Sequence, residues 1–139
     1  MTASRSNSAR IDERTATVID ENHLGRMTLG DRRLEREVLE LFLRQTAIML
    51  NRVVGAEPPL AAAAAHTLKG SARGIGAWRV ARAAELLEHA AGGGENGGDA
   101  AEHGLAEAIA ELKAASLEAG AAIGARLTAL LAELGRERS

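Results

Sequence analysis

Apolar residues recur every three or four positions along most of this chain, a spacing that predicts α-helices. No segment shows the strict alternation of apolar and polar residues that is typical of strands. The first long helix is predicted to begin at Asp31, a residue type that caps helix N-termini, and to end near Val54. Its expected core-facing positions follow the helical spacing and are Leu34, Val38, Leu41, Phe42, Ile48, Met49 and Val53.

A short helix is predicted before it, from Val18 to Met27, with Ile19, Leu24 and Met27 available to cover one end of a core. Residues 1–16 are polar, rich in Ser and Arg and without apolar periodicity, which predicts a disordered tail. We therefore expect one domain over residues 17–135 and a second short tail at 136–139.

Glycine and proline mark the next boundaries. Gly55 and the pair at 58–59 precede a helix predicted from Pro59 to Arg73, because proline is tolerated in the first turn of a helix. Gly74 and Gly76 are expected to bracket a tight turn.

A helix over 77–91 is predicted to follow, then a flexible glycine-rich loop over 92–98, and Asp99 as a possible cap of the final helix. The predicted core positions of that helix are Leu105, Ile109, Leu112, Ala119, Ile123, Leu127, Leu130 and Leu134.

The final helix is interrupted by glycine, a residue that costs about 1 kcal/mol relative to alanine inside a helix. Ser116, Gly120 and Gly124 lie four residues apart, which is compatible with a closely packed neighbouring helix or with a bend. Both alternatives stay open from sequence. Four long helices and one short N-terminal helix predict an all-α fold, an antiparallel four-helix bundle.

Composition narrows the functional classes. The 139 residues are 46% hydrophobic and carry a net charge of -2, which fits a single soluble domain. With one Trp, one Phe and no basic excess, nucleic-acid binding is not expected. Without cysteine there is neither a disulfide nor a thiolate metal cluster. We expect no secretory signal, no membrane-spanning stretch and a cytoplasmic location.

The segment around His66 carries the candidate chemistry. On a helix, His66, Lys69 and Gly70 share one face, and Arg73 extends that face by a turn. A neutral imidazole is a nucleophile for a phosphoryl group, and a lysine one turn away supplies positive charge for the transition state. Gly70 leaves room for an approaching partner. The other positions of this helix, which can face a core, are Leu60, Ala64, Thr67, Leu68 and Ser71.

The run His66-Thr67-Leu68-Lys69-Gly70-Ser71, followed by Gly76 and an apolar helix through Val80, Ala84 and Leu87, resembles the histidine-containing phosphotransfer (HPt) family of multistep phosphorelays. The segment from Met27 to Asp31 that leads into the first long helix is also similar to bacterial members, and the resemblance covers about residues 17–134.

The resemblance implies that His66 is phosphorylated and that the partners are the receiver domains of a hybrid histidine kinase and of a response regulator. It places Glu88 where the family often carries a polar side chain that hydrogen-bonds the imidazole. Magnesium is expected on the receiver, so no cofactor is expected on this chain, which is predicted to be a monomer. Since no phosphate-binding Gly-rich loop is visible, the protein is not expected to phosphorylate itself.

Simpler interpretations remain for several residues. Arg73 and Glu88 can be ordinary surface residues, and His23, His89 and His103 lack the Lys-Gly context of His66. Two pairs at helical spacing, Glu85 with His89 and Asp99 with His103, could hold a metal, but the Glu-x-x-His motif of bundle metal sites is absent. The alternative functions are therefore a helical adaptor that docks receivers without carrying phosphate, and a metal-binding bundle.

Overall fold

The computed structural model describes residues 18–92 and 99–138, and the side chains of 18–92 and 104–137. Within those ranges the chain forms helices and no strands, so the predicted all-α fold is confirmed. The helices are α1 (Glu21–Met27), α2 (Arg32–Val53), α3 (Pro58–Ile75), α4 (Trp78–Gly92) and α5 (Asp99–Arg138). The predicted tail at 1–16 and most of the predicted glycine-rich loop lie outside the described residues, whereas positions 136–138, assigned to a tail, continue α5.

Helices α2 to α5 form a four-helix bundle in which α3 packs on α2 and α4, and α5 packs on α4 and α2. Neighbouring helices are antiparallel. The end of α2 leads into the start of α3 through only residues 54–57, and Glu35 at the start of α2 contacts Arg126 near the end of α5. The largest fully buried side chains are Leu24, Leu39, Leu68, Leu87, Leu112, Ile123 and Leu130.

The buried face of α2 differs from the predicted one. Leu34, Leu41 and Ile48 were expected in the core but are exposed. Apolar residues occupy more than half of the circumference of α2, so their spacing alone does not define the buried side. The stripe that faces the bundle is offset by one residue from the predicted stripe and includes two polar residues. Both have partners there, since Glu35 is paired with Arg126 and the Thr46 hydroxyl donates to a backbone carbonyl. The buried residues of α2 are Glu35, Leu39, Phe42, Thr46 and Val53.

Helix α1 is shorter than predicted because Asp20 caps it, with Oδ1 accepting from the His23 amide at 3.0 Å. Ile19, just before the cap, and Leu24 are buried as expected. Met27 is 56% exposed, so its predicted place in the core is wrong. It lies in the last turn of α1, at an open groove that Val38 and Leu41 of α2 also line. The predicted cap of α2 is confirmed, since Asp31 Oδ1 accepts from the amides of the first turn.

Helix α3 continues through Gly74, which therefore does not bracket the turn as predicted. The turn needs only one left-handed residue, Gly76, at φ 81°. The amide of Ala77 closes it by donating to the Ala72 carbonyl at 2.9 Å. On the same helix, two positions that were expected to face a core, Leu60 and Thr67, are exposed.

Helix α5 runs without interruption through its glycines. A Cβ atom on Gly120 would meet Leu43 Cδ2 at an ordinary 4.0 Å, and one on Gly124 would meet nothing within 4 Å. Close helix packing therefore does not require glycine at either position. Contrary to the sequence expectation, the segment Gly104–Glu137 is long and apolar enough to cross a membrane by length and composition alone. Alanine and leucine dominate it, and its predicted core positions are buried or half-buried in the bundle.

Candidate functional site

His66 lies near the middle of α3, on the face turned away from the core, and its side chain is 67% exposed. The neighbouring positions Ala65 and Leu68 are fully buried, so the packing of α3 fixes which way the imidazole points. The imidazole is therefore accessible from solvent. Its Nδ1 atom lies 2.7 Å from Glu88 Oε2 on α4.

Glu88 contacts two residues of the motif, His66 and Lys69. While Oε2 contacts the imidazole, Oε1 accepts from Lys69 Nζ at 2.7 Å. The hydrogen bond from Lys69, and next that from His66, hold the pKa of Glu88 below its usual value. An ionised carboxylate only accepts hydrogen bonds. The Nδ1 atom of His66 is therefore the donor in this contact, and in the neutral ring Nε2 carries the lone pair.

Lys69 is far less exposed than the histidine, with only 16% of its side chain accessible. Its stem lies between α3 and α4, and its ammonium group ends at Glu88. A cavity of about 420 Å³ opens beside this pair, lined by Lys69, Glu85, Glu88, His89 and Gly92. Lys69 is thus bound by the same carboxylate that contacts the imidazole. The sequence did not indicate the contact between Lys69 and Glu88.

Arg73 and Gly70 occupy the rest of the predicted stripe. Arg73 Nη2 lies 3.6 Å from Glu85 Oε2, and both side chains are more than half exposed, so the pair contributes little to stability. A Cβ atom built on Gly70 would meet nothing within 4 Å. The space beside His66 is therefore open on the Gly70 side.

A further polar contact lies beside the stripe and was not predicted. The Ser71 hydroxyl donates to Gln45 Oε1 at 3.1 Å and thereby joins α3 to α2. Gln45 sits in a helix whose apolar pattern gave no reason to single it out. Its position follows only from the register between the two helices.

Among the other histidines whose side chains are described, His89 borders this site and His23 lies apart from it. The His23 ring packs on Trp78 with centroids 4.9 Å apart, and His89 lines the cavity beside Glu88. The side chains of Asp99 and His103, one of the two possible metal pairs, are outside the described ranges. Among the described residues, no three His, Asp or Glu side chains are grouped as metal ligands.

A sequence model of the Hpt domain matches residues 36–136, which is most of the chain. The chain belongs to the Hpt domain family. A solved structure from rice, described as a candidate histidine-containing phosphotransfer protein, superimposes with a TM-score of 0.69 at 17% identity, covering 91% of this chain and 96% of that one. This likeness supports the same fold. No curated protein matches the chain.

Proposed function

We propose that this Hpt protein carries a phosphoryl group on Nε2 of His66 and passes it between aspartates of two receiver domains. The observation that supports the proposal most strongly is the exposed imidazole whose Nδ1 is engaged by Glu88 at 2.7 Å. That contact leaves Nε2 as the nitrogen with a lone pair and an open approach. By family membership, the partners are the receivers of a hybrid histidine kinase and of a response regulator.

The transfer follows from the chemistry of the groups present. The Nε2 lone pair attacks the phosphorus of an aspartyl phosphate, the P–O bond to the aspartate breaks, and a P–N bond forms. Charge is spread over the equatorial oxygens in the loose transition state, so fixed positive charge assists. Lys69 supplies such a charge one turn from His66. Magnesium belongs to the receiver in this scheme, and the Hpt protein contributes no cofactor and no ATP site.

Glu88 is assigned a positioning role. By accepting a hydrogen bond from Nδ1–H, it fixes the tautomer and the ring orientation, in the manner of a carboxylate that orients a catalytic histidine. Gly70 is assigned the role of giving the receiver access, and Arg73 that of a docking residue on the rim. We further propose that the protein acts as a cytoplasmic monomer.

A two-step relay separates this function from that of an adaptor. A receiver phosphorylated on its aspartate with labelled phosphate is mixed with the Hpt protein, which is then isolated and offered to a second receiver. A carrier gains an acid-labile label in the first step and loses it to the second receiver. An adaptor binds the receiver without gaining the label, and that outcome would contradict the proposal.

A further inference from the structure

Glu88 contacts His66 and Lys69 at the same time, and these two contacts hold its carboxylate in place beside the imidazole. Its two oxygens lie 2.7 Å from His66 Nδ1 and 2.7 Å from Lys69 Nζ. The carboxylate cannot turn away from the ring without also breaking its ion pair with Lys69. Because an ionised carboxylate has no proton to donate, the atom facing it must be a donor.

Phosphorylation of Nε2 raises the question of whether Nδ1 still carries the proton that it donates to Glu88. When Nε2 attacks phosphorus, the ring keeps its Nδ1 proton and becomes a cation with a P–N bond. A neutral phosphorylated ring forms only if the Nδ1 proton is then lost. The lone pair of Nδ1 would in that case face Glu88 Oε2, and two acceptors would oppose each other at a hydrogen-bonding distance. Glu88 therefore disfavours the neutral phosphorylated ring.

We propose that Glu88 keeps the phosphorylated His66 ring protonated at Nδ1 and so makes the phosphohistidine a short-lived, readily transferred species. The inference rests on the proposed function and adds a residue that sets the lifetime of the carrier. When the P–N bond breaks, its electron pair returns to Nε2. From a protonated ring the leaving group is neutral imidazole, whereas from a neutral ring it would be the far more basic imidazolate.

The other charged groups around His66 do not replace Glu88 in this role. On α3, Lys69 carries a positive charge, which opposes protonation of the ring and so cannot replace the carboxylate. Arg73 is paired with Glu85, which lies one turn before Glu88 on α4. His89 lines the cavity on the far side of Glu88. Glu88 is the carboxylate that contacts the imidazole among the described residues.

The variant Glu88→Gln separates charge from shape. Its amide oxygen can accept from Lys69 while its NH₂ group donates to an unprotonated Nδ1. In the unphosphorylated protein, ¹⁵N NMR should show the Nδ1–H tautomer for the wild type and the Nε2–H tautomer for the variant. Glu85→Gln is the matched control, because it removes the same charge from the same helix without touching His66. It should keep the wild-type tautomer.

The lifetime is measured after phosphorylation of His66 with phosphoramidate, a small donor that needs no receiver. A nearby opposite charge shifts the pKa of a charged group by about one unit or more. Without the Glu88 charge, the phosphorylated ring should therefore lose its Nδ1 proton at a lower pH, and the decay of the label at pH 8 should be about tenfold slower in Glu88→Gln. The decay rate falls as pH rises, and the pH at which it falls should be about one unit lower in Glu88→Gln than in the wild type. Glu85→Gln should decay like the wild type.

Equal lifetimes and equal pH profiles for the wild type and Glu88→Gln would overturn the inference. So would a change of the same size in Glu85→Gln, because the effect would then be general charge and not contact with the ring. Neither result depends on a receiver. Failure of receiver-dependent transfer with an intact difference in lifetime would instead contradict the proposed function alone.

Discussion

The backbone amide of Asp20 donates a hydrogen bond to the carbonyl oxygen of Gly76 at 2.9 Å. This bond joins the start of α1 to the turn between α3 and α4, ten residues beyond His66. The two residues are so close that a Cβ atom on Gly76 would lie 2.9 Å from Asp20 Cβ. The turn that brings Glu88 back alongside the histidine helix is therefore packed directly against Asp20.

Gly76→Ala is expected to lower the free energy of unfolding by roughly 1–3 kcal/mol, because it combines a left-handed backbone with a steric clash. Urea denaturation followed by circular dichroism measures the change. Gly74→Ala is the matched control two residues earlier, since Gly74 is helical with open space around it. It should be more stable than the wild type by up to about 1 kcal/mol. Equal stability of the two variants would contradict this account of the turn.

Asp20 also predicts a dependence of stability on pH. Its carboxylate accepts from Trp78 Nε1 at 3.0 Å and from the His23 amide, and these bonds hold its pKa below the usual value, the Trp78 bond most strongly. The folded protein therefore binds fewer protons here than the unfolded chain. The resulting stabilisation is complete above the unfolded pKa of about 4 and is lost as pH falls through the lower folded pKa.

Asp20→Asn should accordingly lose less stability than the wild type between about pH 4 and pH 2. Urea midpoints at several pH values measure this difference. Trp78→Phe, which removes the strongest of the hydrogen bonds to the carboxylate, should reduce the acid dependence in the same direction. If both variants lose as much stability as the wild type when the pH falls from about 4 to 2, Asp20 does not titrate as described.

The fold was largely readable from the sequence because its signals are local. Asp31 caps α2 as predicted, Gly55 lies in the connection between α2 and α3, and Pro58 begins α3. The buried face of α2 was not readable. The charge of Glu35 argues against burial unless its partner Arg126 is known, and that partner lies 91 positions later in the chain.

The same distinction applies to the site, where local features were predicted from the sequence and contacts between helices were not. The exposure of His66 follows from the helical periodicity of α3 alone. The hydrogen bond from Lys69 to Glu88 depends on the register between α3 and α4, which the Gly76 turn and the core between these helices set together. The roles assigned to Lys69, Gly70, Arg73 and Glu88 remain predictions for experiment.

Lys69→Ala should slow phosphoryl transfer in both directions, by roughly 1–3 kcal/mol of transition-state stabilisation, because it removes a fixed positive charge. Rapid-quench kinetics with a phosphorylated receiver measures the rate, and calorimetry with the unphosphorylated receiver measures binding. Binding should change less than the rate. Equal losses in both would make Lys69 a docking residue.

Gly70 tests whether open space beside His66 serves access. Gly70→Ala should be neutral or stabilising, since the position is helical with nothing within 4 Å. Gly70→Gln and Gly70→Leu should fold, yet receiver-dependent transfer should fall steeply with side-chain size. Labelling of His66 by phosphoramidate should fall much less, because it needs no docked protein. Wild-type transfer in Gly70→Leu would show that the receiver does not approach over Gly70.

The most direct measurement of the central claim is site-resolved phosphorylation of His66. The wild type and two variants, His66→Gln and His89→Gln, are incubated with the same phosphorylated receiver, and the label is located by ³¹P NMR and by mass spectrometry. Circular dichroism should show that all three are folded, since an exposed polar side chain contributes little to stability. The account predicts a phosphohistidine signal in the wild type and in His89→Gln and none in His66→Gln. A label that persists in folded His66→Gln would contradict it.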